Sequence, residues 1–208
     1  MICIKNTNKL INYQNAINEM LEIVDKIINE KHEEVIWFLQ HEDVYTIGVS
    51  GSESDILDKN VKYIHANRGG KVTYHGEGQL VVYLMLNISK RFNNDVHKYV
   101  KYLENCIILS LNKIGISAYI KDKFVGVWVK DGNLEKKIAS IGIRIKKSIS
   151  YHGIAINISP DLSKFNRIIP CGVTEFDITS VKSLGFKTNV EDFSNILQNE
   201  LQELNNIL

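Results

Sequence analysis

Proline and cysteine are scarce in this chain, and no hydrophobic run is long. Two prolines in 208 residues, with no Ser/Gly-rich stretch, leave no sign of a linker or domain boundary. The three cysteines, Cys3, Cys106 and Cys171, are odd in number and far apart, with no CxxC. That argues against a disulfide framework and a structural zinc site, and for a reducing compartment. The longest apolar run, Leu80 to Leu86, falls far short of the ~20 residues a bilayer span requires. The start, Met1-Ile2-Cys3-Ile4-Lys5, lacks the charged region and long apolar core of a secretory signal, so a cytoplasmic protein is expected. An excess of one charge is missing too. The 25 basic and 24 acidic side chains give a net +1, unlike a general nucleic-acid binder, although a local basic patch would suit an acidic protein partner.

What is present is enough apolar material, 44% of residues, to fill one sizeable core, so a single domain over 1–208 is expected. From Leu10 to Lys31 apolar residues recur at helical spacing through Ile17, Met20, Leu21, Val24 and Ile28. Val35–Leu39 and Gln79–Ile88 read as strands, and Asp95–Lys113 as a second helix stopped by Gly115. Short β-rich runs follow at Ser117–Ile120, Val125–Lys130, Ile138–Ile145 and Gly153–Ile158. Thr188 and Glu191 have capping-box spacing and open a final helix with a stripe of Phe193, Ile196, Leu197, Leu201, Leu204 and Leu208. Helices at the beginning, middle and end, not regularly interleaved with strands, predict an α+β (mixed α/β) fold with a central mixed sheet flanked by helices.

Two stretches stand out for chemistry. Arg68-Gly69-Gly70-Lys71-Val72-Thr73-Tyr74-His75-Gly76-Glu77-Gly78 is rich in glycine, which lets backbone N–H groups approach a ligand closely. It is not a phosphate-binding P-loop, because Val72 follows the Gly70-Lys71 pair where Ser or Thr is needed. A β-hairpin with two glycine turns fits the composition equally well. The second stretch is Pro170-Cys171-Gly172. Cys3 and Cys106 sit in apolar surroundings, as inert cysteines do. Cys171 lies instead in a loop between proline and glycine, where a thiol can face solvent and a neighbouring N–H can meet a developing oxyanion. A nucleophilic thiol needs help to ionise from its usual ~8.5. His75 and His152 are candidate bases; Lys136 and Lys137, just before Ile138-Ala139-Ser140-Ile141-Gly142, are candidate cations. Pattern alone does not choose between them.

Taken together, the ordered segments resemble the lipoyl(octanoyl) transferase family. Arg68–Gly76 is similar to the family's acyl-binding signature, Lys137–Gly142 to the segment with its catalytic lysine, and Tyr151–Asn157 to the stretch leading into Pro170-Cys171-Gly172. The resemblance covers roughly residues 35 to 185, with two departures: Glu77 stands where the family usually has proline, and Asn67 where it tends to have aspartate. Losing that proline makes the turn less rigid, without touching a residue assigned chemistry. The resemblance implies the fold of the biotin and lipoate protein ligases. It implies Cys171 as nucleophile and Lys137 as its catalytic partner. Arg68, Gly69, Gly70, Lys71, Val72, Thr73, Tyr74, His75, Ser140, Ile141, Gly142, Gly153, Ile154 and Ala155 would line the acyl group. The donor would be octanoyl-acyl carrier protein and the acceptors lipoyl domains of 2-oxoacid dehydrogenase subunits and the glycine-cleavage H protein. No metal or other cofactor is implied. Competing readings are an ATP-dependent lipoate or biotin ligase, a Cys–His hydrolase, and a catalytically dead module that binds acyl carrier protein.

Overall fold

A computed structural model describes residues 2–170 and 176–207. Strand β1 (Ile2–Ile11) is followed by helix α1 (Tyr13–Ile28), β2 (Glu34–His41), β3 (Val44–Ile47), β4 (Tyr63–His65), β5 (Val72–His75) and β6 (Gln79–Met85). Helices α2 (Ile88–Phe92) and α3 (Val96–Lys113) precede β7 (Ala118–Lys121), β8 (Phe124–Asp131), β9 (Leu134–Lys146) and β10 (Ile149–Asn157). The two-residue β11 (Asp177–Ile178) and helix α4 (Val190–Gln202) complete the order. The large sheet runs β1-β2-β6-β10-β9-β8-β7, with β11 added to β9; β4-β3-β5 form a second, smaller sheet. Among the described residues only β1–β2 and β11–β9 pair parallel in the large sheet, so it is mixed as expected.

Alternation along the central strands sorts two cores. Ile36 and Phe38 of β2, with Leu80, Val82 and Leu84 of β6, face Leu103, Ile107 and Leu111 of α3 and Phe193, Leu197 and Leu201 of α4. The odd-numbered partners Val35, Trp37, Leu39, Val81, Tyr83 and Met85 face Ala16, Met20 and Val24 of α1. Both faces of these strands are covered, which is why Val35–Leu39 and Leu80–Leu86 read as continuous apolar runs.

Two sequence expectations change, and one of two open readings falls. The helix does not start at Leu10: Ile2–Ile11 pairs parallel with β2, and the Asn12 side chain caps α1 by accepting from Gln14 and Asn15 N–H. The cap of α4 is Asn189, whose side chain accepts from Asp192 N–H, one residue past the expected Thr188. The glycine-rich stretch is not a hairpin either. β5 pairs with β3, while β6 pairs with β2 and β10, so the chain changes sheets between His75 and Gln79.

Candidate active site

Where α1 ends its cover of the sheet, a narrow slot opens over three strands. Register places Val81 of β6, Ala155 of β10 and Ser140 of β9 in one row, and Tyr83, Gly153 and Gly142 in the next. Small side chains on β10 and β9 strip the sheet surface there and leave a trough. The loop 68–71 and strand β5 wall it, with Tyr13 of α1 at one end and Lys137 at the other side. Close approach of the loop demands glycine. A Cβ on Gly142 would stand 2.9 Å from the Gly69 carbonyl oxygen, and one on Gly69 would stand 2.8 Å from that of Ile143. The loop is held from below by Arg68, whose buried guanidinium donates to the Thr46 carbonyl (2.8 Å), to Thr46 Oγ1 and to the Gly69 carbonyl (3.0 Å).

Fourteen of the sixteen residues singled out from the sequence border this slot: Lys137, the loop and β5 residues Arg68 to Thr73 and His75, Ser140 to Gly142, and Gly153 to Ala155. Tyr74 does not. Alternation on β5 turns it to the opposite side, where it packs on Tyr45 and Phe165 and donates to Asp43 Oδ1 at 2.6 Å. Cys171 lies outside the described residues. Tyr13, Val81 and Tyr83 also border it and are not singled out in the sequence: Val81 and Tyr83 fall in a segment that continues the resemblance, but all three are ordinary apolar or aromatic positions in helix and strand patterns.

Lys137 is 7% exposed, although lysine rarely sits inside. A bulge puts it there: Val127 pairs with Ala139 and Trp128 with Lys137, so Ile138 is extra, and such insertions re-aim side chains. Its Nζ stands 5.5 Å over the Trp128 ring. Gly126, at φ 120°, clears the way for its stem, since a Cβ there would come within 2.6 Å of Lys137 Cε. On its other flank β11 pairs Ile178 with Lys137, and Thr179 N–H donates to the Lys137 carbonyl at 2.9 Å. A second cavity of about 290 Å³ shares Gly70, Lys71, Lys137 and Ile141 with the slot. Pro170 and Phe176, the described residues on either side of Cys171, line it as well.

The opposite end of the slot is a buried cluster of rings, Tyr13, His41, His75, Tyr83 and His152, with centroids 5.1 to 6.2 Å apart between neighbours. His75 Nδ1 meets Gln79 Oε1 at 2.6 Å; Gln79 Nε2 donates to Asn157 Oδ1, and Asn157 Nδ2 donates to the Thr179 carbonyl. This chain joins His75 to the backbone beside Lys137. His41 Nδ1 meets the Ile11 carbonyl at 3.1 Å, so its Nε2 is free to accept the Tyr83 hydroxyl at 2.8 Å. Burial lowers all three imidazoles: His41 to about 4, His152 to about 3, and His75 well below its ordinary 6.5, where the charges of His41 and Arg68 add to the effect. All are therefore neutral near pH 7. His152 holds φ at 57°, unusual for a non-glycine residue in a strand, with its N–H turned toward Met20 Sδ at 3.1 Å. Among the described residues no cluster of His, Cys, Asp or Glu could hold a metal ion, and no helix is long and apolar enough to cross a membrane.

Comparison with known proteins places this fold among characterised families. Residues 12–202 match the lipoyl protein ligase A/B catalytic domain family. Solved structures agree on the fold. A bipartite lipoate protein ligase from Thermoplasma acidophilum superposes with a TM-score of 0.71 at 16% identity, covering 100% of this chain and 84% of that one. Lipoate-protein ligase A bound with ATP gives 0.70 at 15%, covering 99% and 85%. Within that class the chain belongs to the octanoyltransferase family and is an acyltransferase. It is 44% identical over 199 residues to an octanoyltransferase of Rickettsia canadensis, covering 94% of this chain and 95% of the relative. It is 42% identical over 198 residues to one from the Wolbachia of Brugia malayi, covering 95% and 97%.

Proposed function

We propose that this protein moves an octanoyl group from acyl carrier protein to a lysine of lipoyl domains by way of a thioester on Cys171. The observation that carries the reading is Lys137: a buried lysine at the junction of the slot with the cavity bordered by Pro170 and Phe176. In the first step the Cys171 thiolate attacks the carbonyl carbon of the donor thioester. The bond to the phosphopantetheine sulfur breaks, and that leaving sulfur takes the proton of the Lys137 ammonium. One thioester replaces another, so the step is nearly balanced.

In the second step a neutral acceptor amine attacks the Cys171 thioester and gives a proton to the now neutral Lys137. The bond to Cys171 Sγ breaks, an amide forms, and the thiolate–ammonium pair is restored. This covalent relay turns one difficult exchange into two easier ones. Acceptors are lipoyl domains of 2-oxoacid dehydrogenase subunits and the glycine-cleavage H protein. The histidines are poor substitutes for the lysine, because a base with a pKa of about 3, as for His152, holds a thiol proton badly. Such weak basicity disfavours a Cys–His hydrolase.

Intact mass spectrometry after incubation with octanoyl-acyl carrier protein is the test. One octanoyl adduct, released by hydroxylamine and absent in Cys171→Ser, is expected; an adduct that persists in that variant overturns the relay. The ligase fold supplies one competing reading, an ATP-dependent activation of the free acid. Modification of a lipoyl domain with ATP and free octanoate, without acyl carrier protein, would favour it.

A further inference from the structure

The Tyr13 hydroxyl is the one buried side-chain polar atom among the described residues that has no hydrogen-bond partner. Its residue is 4% exposed and borders the slot. A buried donor without an acceptor is costly and rare in folded proteins, and it draws attention to whatever occupies the space beside it. The nearby rings do not offer relief. His41 Nε2 already takes the Tyr83 hydroxyl, and His75 lies parallel to the Tyr13 ring, with centroids 6.2 Å apart and planes 9° apart, so the two stack. Burial pushes the phenol up to about 12, so it stays a donor across the working range.

Its place in the slot gives this donor a meaning. Lys137 lies on β9, and Tyr13 contacts His41 at the end of β2, beyond β6. Strands stand about 4.8 Å apart, and an extended eight-carbon chain covers roughly two such spacings. A chain whose carbonyl sits beside Lys137 therefore ends above β6, just short of Tyr13. We propose that Tyr13 sets the length of acyl chain the enzyme accepts, acting as a polar stop at the closed end of the slot. A chain of eight carbons leaves the hydroxyl room to keep a water or other acceptor. A longer one displaces that acceptor and leaves the O–H dry against its methyl end. The inference rests on the reading that puts the reacting carbonyl at Lys137.

The experiment compares hexanoyl-, octanoyl- and decanoyl-acyl carrier protein as donors, reading kcat/KM for transfer to a lipoyl domain in wild type and Tyr13→Phe. The decanoyl-to-octanoyl ratio is expected to rise about tenfold in Tyr13→Phe, which corresponds to 1.4 kcal/mol. The hexanoyl-to-octanoyl ratio should move less than twofold, whereas a merely structural Tyr13 would lower all three donors together. A decanoyl-to-octanoyl ratio that stays put overturns the proposal. Should Tyr13→Phe fail to fold, wild type alone decides. A 9-oxodecanoyl donor, whose ketone can accept from Tyr13, should outpace decanoyl, and the reverse order overturns the proposal. Wild type that transfers no octanoyl at all refutes the proposed function and takes this inference with it. Octanoyl transfer with an unmoved ratio refutes the inference alone.

Discussion

The two faces of the large sheet are built from the same strands and do different work. Under α3 and α4 the interior is mostly apolar, with Leu103, Ile107, Phe193 and Leu197 fully buried, and the polar groups buried with them, Glu104 and Ser110, are hydrogen-bonded to the backbone. Under α1 the apolar packing extends only from Ala16 to Ile27. Past it the same face buries Tyr13, His41, His75, His152 and Arg68. One face thus stabilises the fold, and the other carries polar groups whose burial costs stability and shapes a site. Strand alternation keeps the two apart: neighbouring residues on one strand serve different purposes.

The largest test of that division is Lys137→Ala. Octanoyl transfer to a lipoyl domain should drop by about 10²–10⁴, the range of a lost proton-transfer group. A variant that keeps more than a tenth of the activity would break the comparison on its polar side. Phe193→Ala probes the opposite face. It should cost about 3–5 kcal/mol in urea unfolding while kcat/KM per folded molecule stays within twofold. An activity loss larger than the folded fraction explains would mean the faces are coupled.

Acid should weaken the polar face specifically. Above pH 6.5 His41 and His152 are neutral in both folded and unfolded chains, and stability is full. As pH falls below 6.5 the unfolded chain binds protons first, so stability declines until the folded values of about 4 and about 3 are reached. Each histidine adds a slope of up to about 1.4 kcal/mol per pH unit. Urea midpoints at pH 7 and pH 5 measure it; equal midpoints would contradict burial of neutral imidazoles. The last test is Gly142→Ala. Its Cβ would stand 2.9 Å from the Gly69 carbonyl oxygen, closer than such contacts run, so the loop backbone must shift. A fall in transfer of about tenfold from the displaced loop is expected, with about 1–3 kcal/mol lost in stability by thermal unfolding.

Much of this arrangement is legible in the residue pattern, for physical reasons that also show where legibility ends. Apolar runs betray β2 and β6 because both faces of those strands are covered, and the spacing of Phe193, Leu197 and Leu201 betrays α4 because one side is. β1 escapes notice: its middle, Lys5 to Lys9, is polar, and pairing with β2 rather than burial makes it a strand. Tyr74 was assigned to the slot by its place in a motif, but a strand inside a motif sends alternate residues to opposite sides. The placement of Lys137 depends on a one-residue bulge and on Gly126 two strand positions from its partner Trp128, neither of which has a local signature. Tyr13 is invisible for another reason. Its distinction is a missing contact, and a missing contact has no sequence pattern.

Part of the slot's wall has no side chain to remove. Gly69, Gly70, Gly142 and Gly153 give it shape through backbone position alone. Mutation can therefore move its capacity in only one direction at these sites, since every substitution adds atoms and none deepens the cavity. Drift along the chain would readily yield descendants that prefer shorter acyl groups. Descendants accepting longer ones must arise at the bulky walls, such as Tyr13 and Val81, which makes the evolutionary routes of this enzyme unequal.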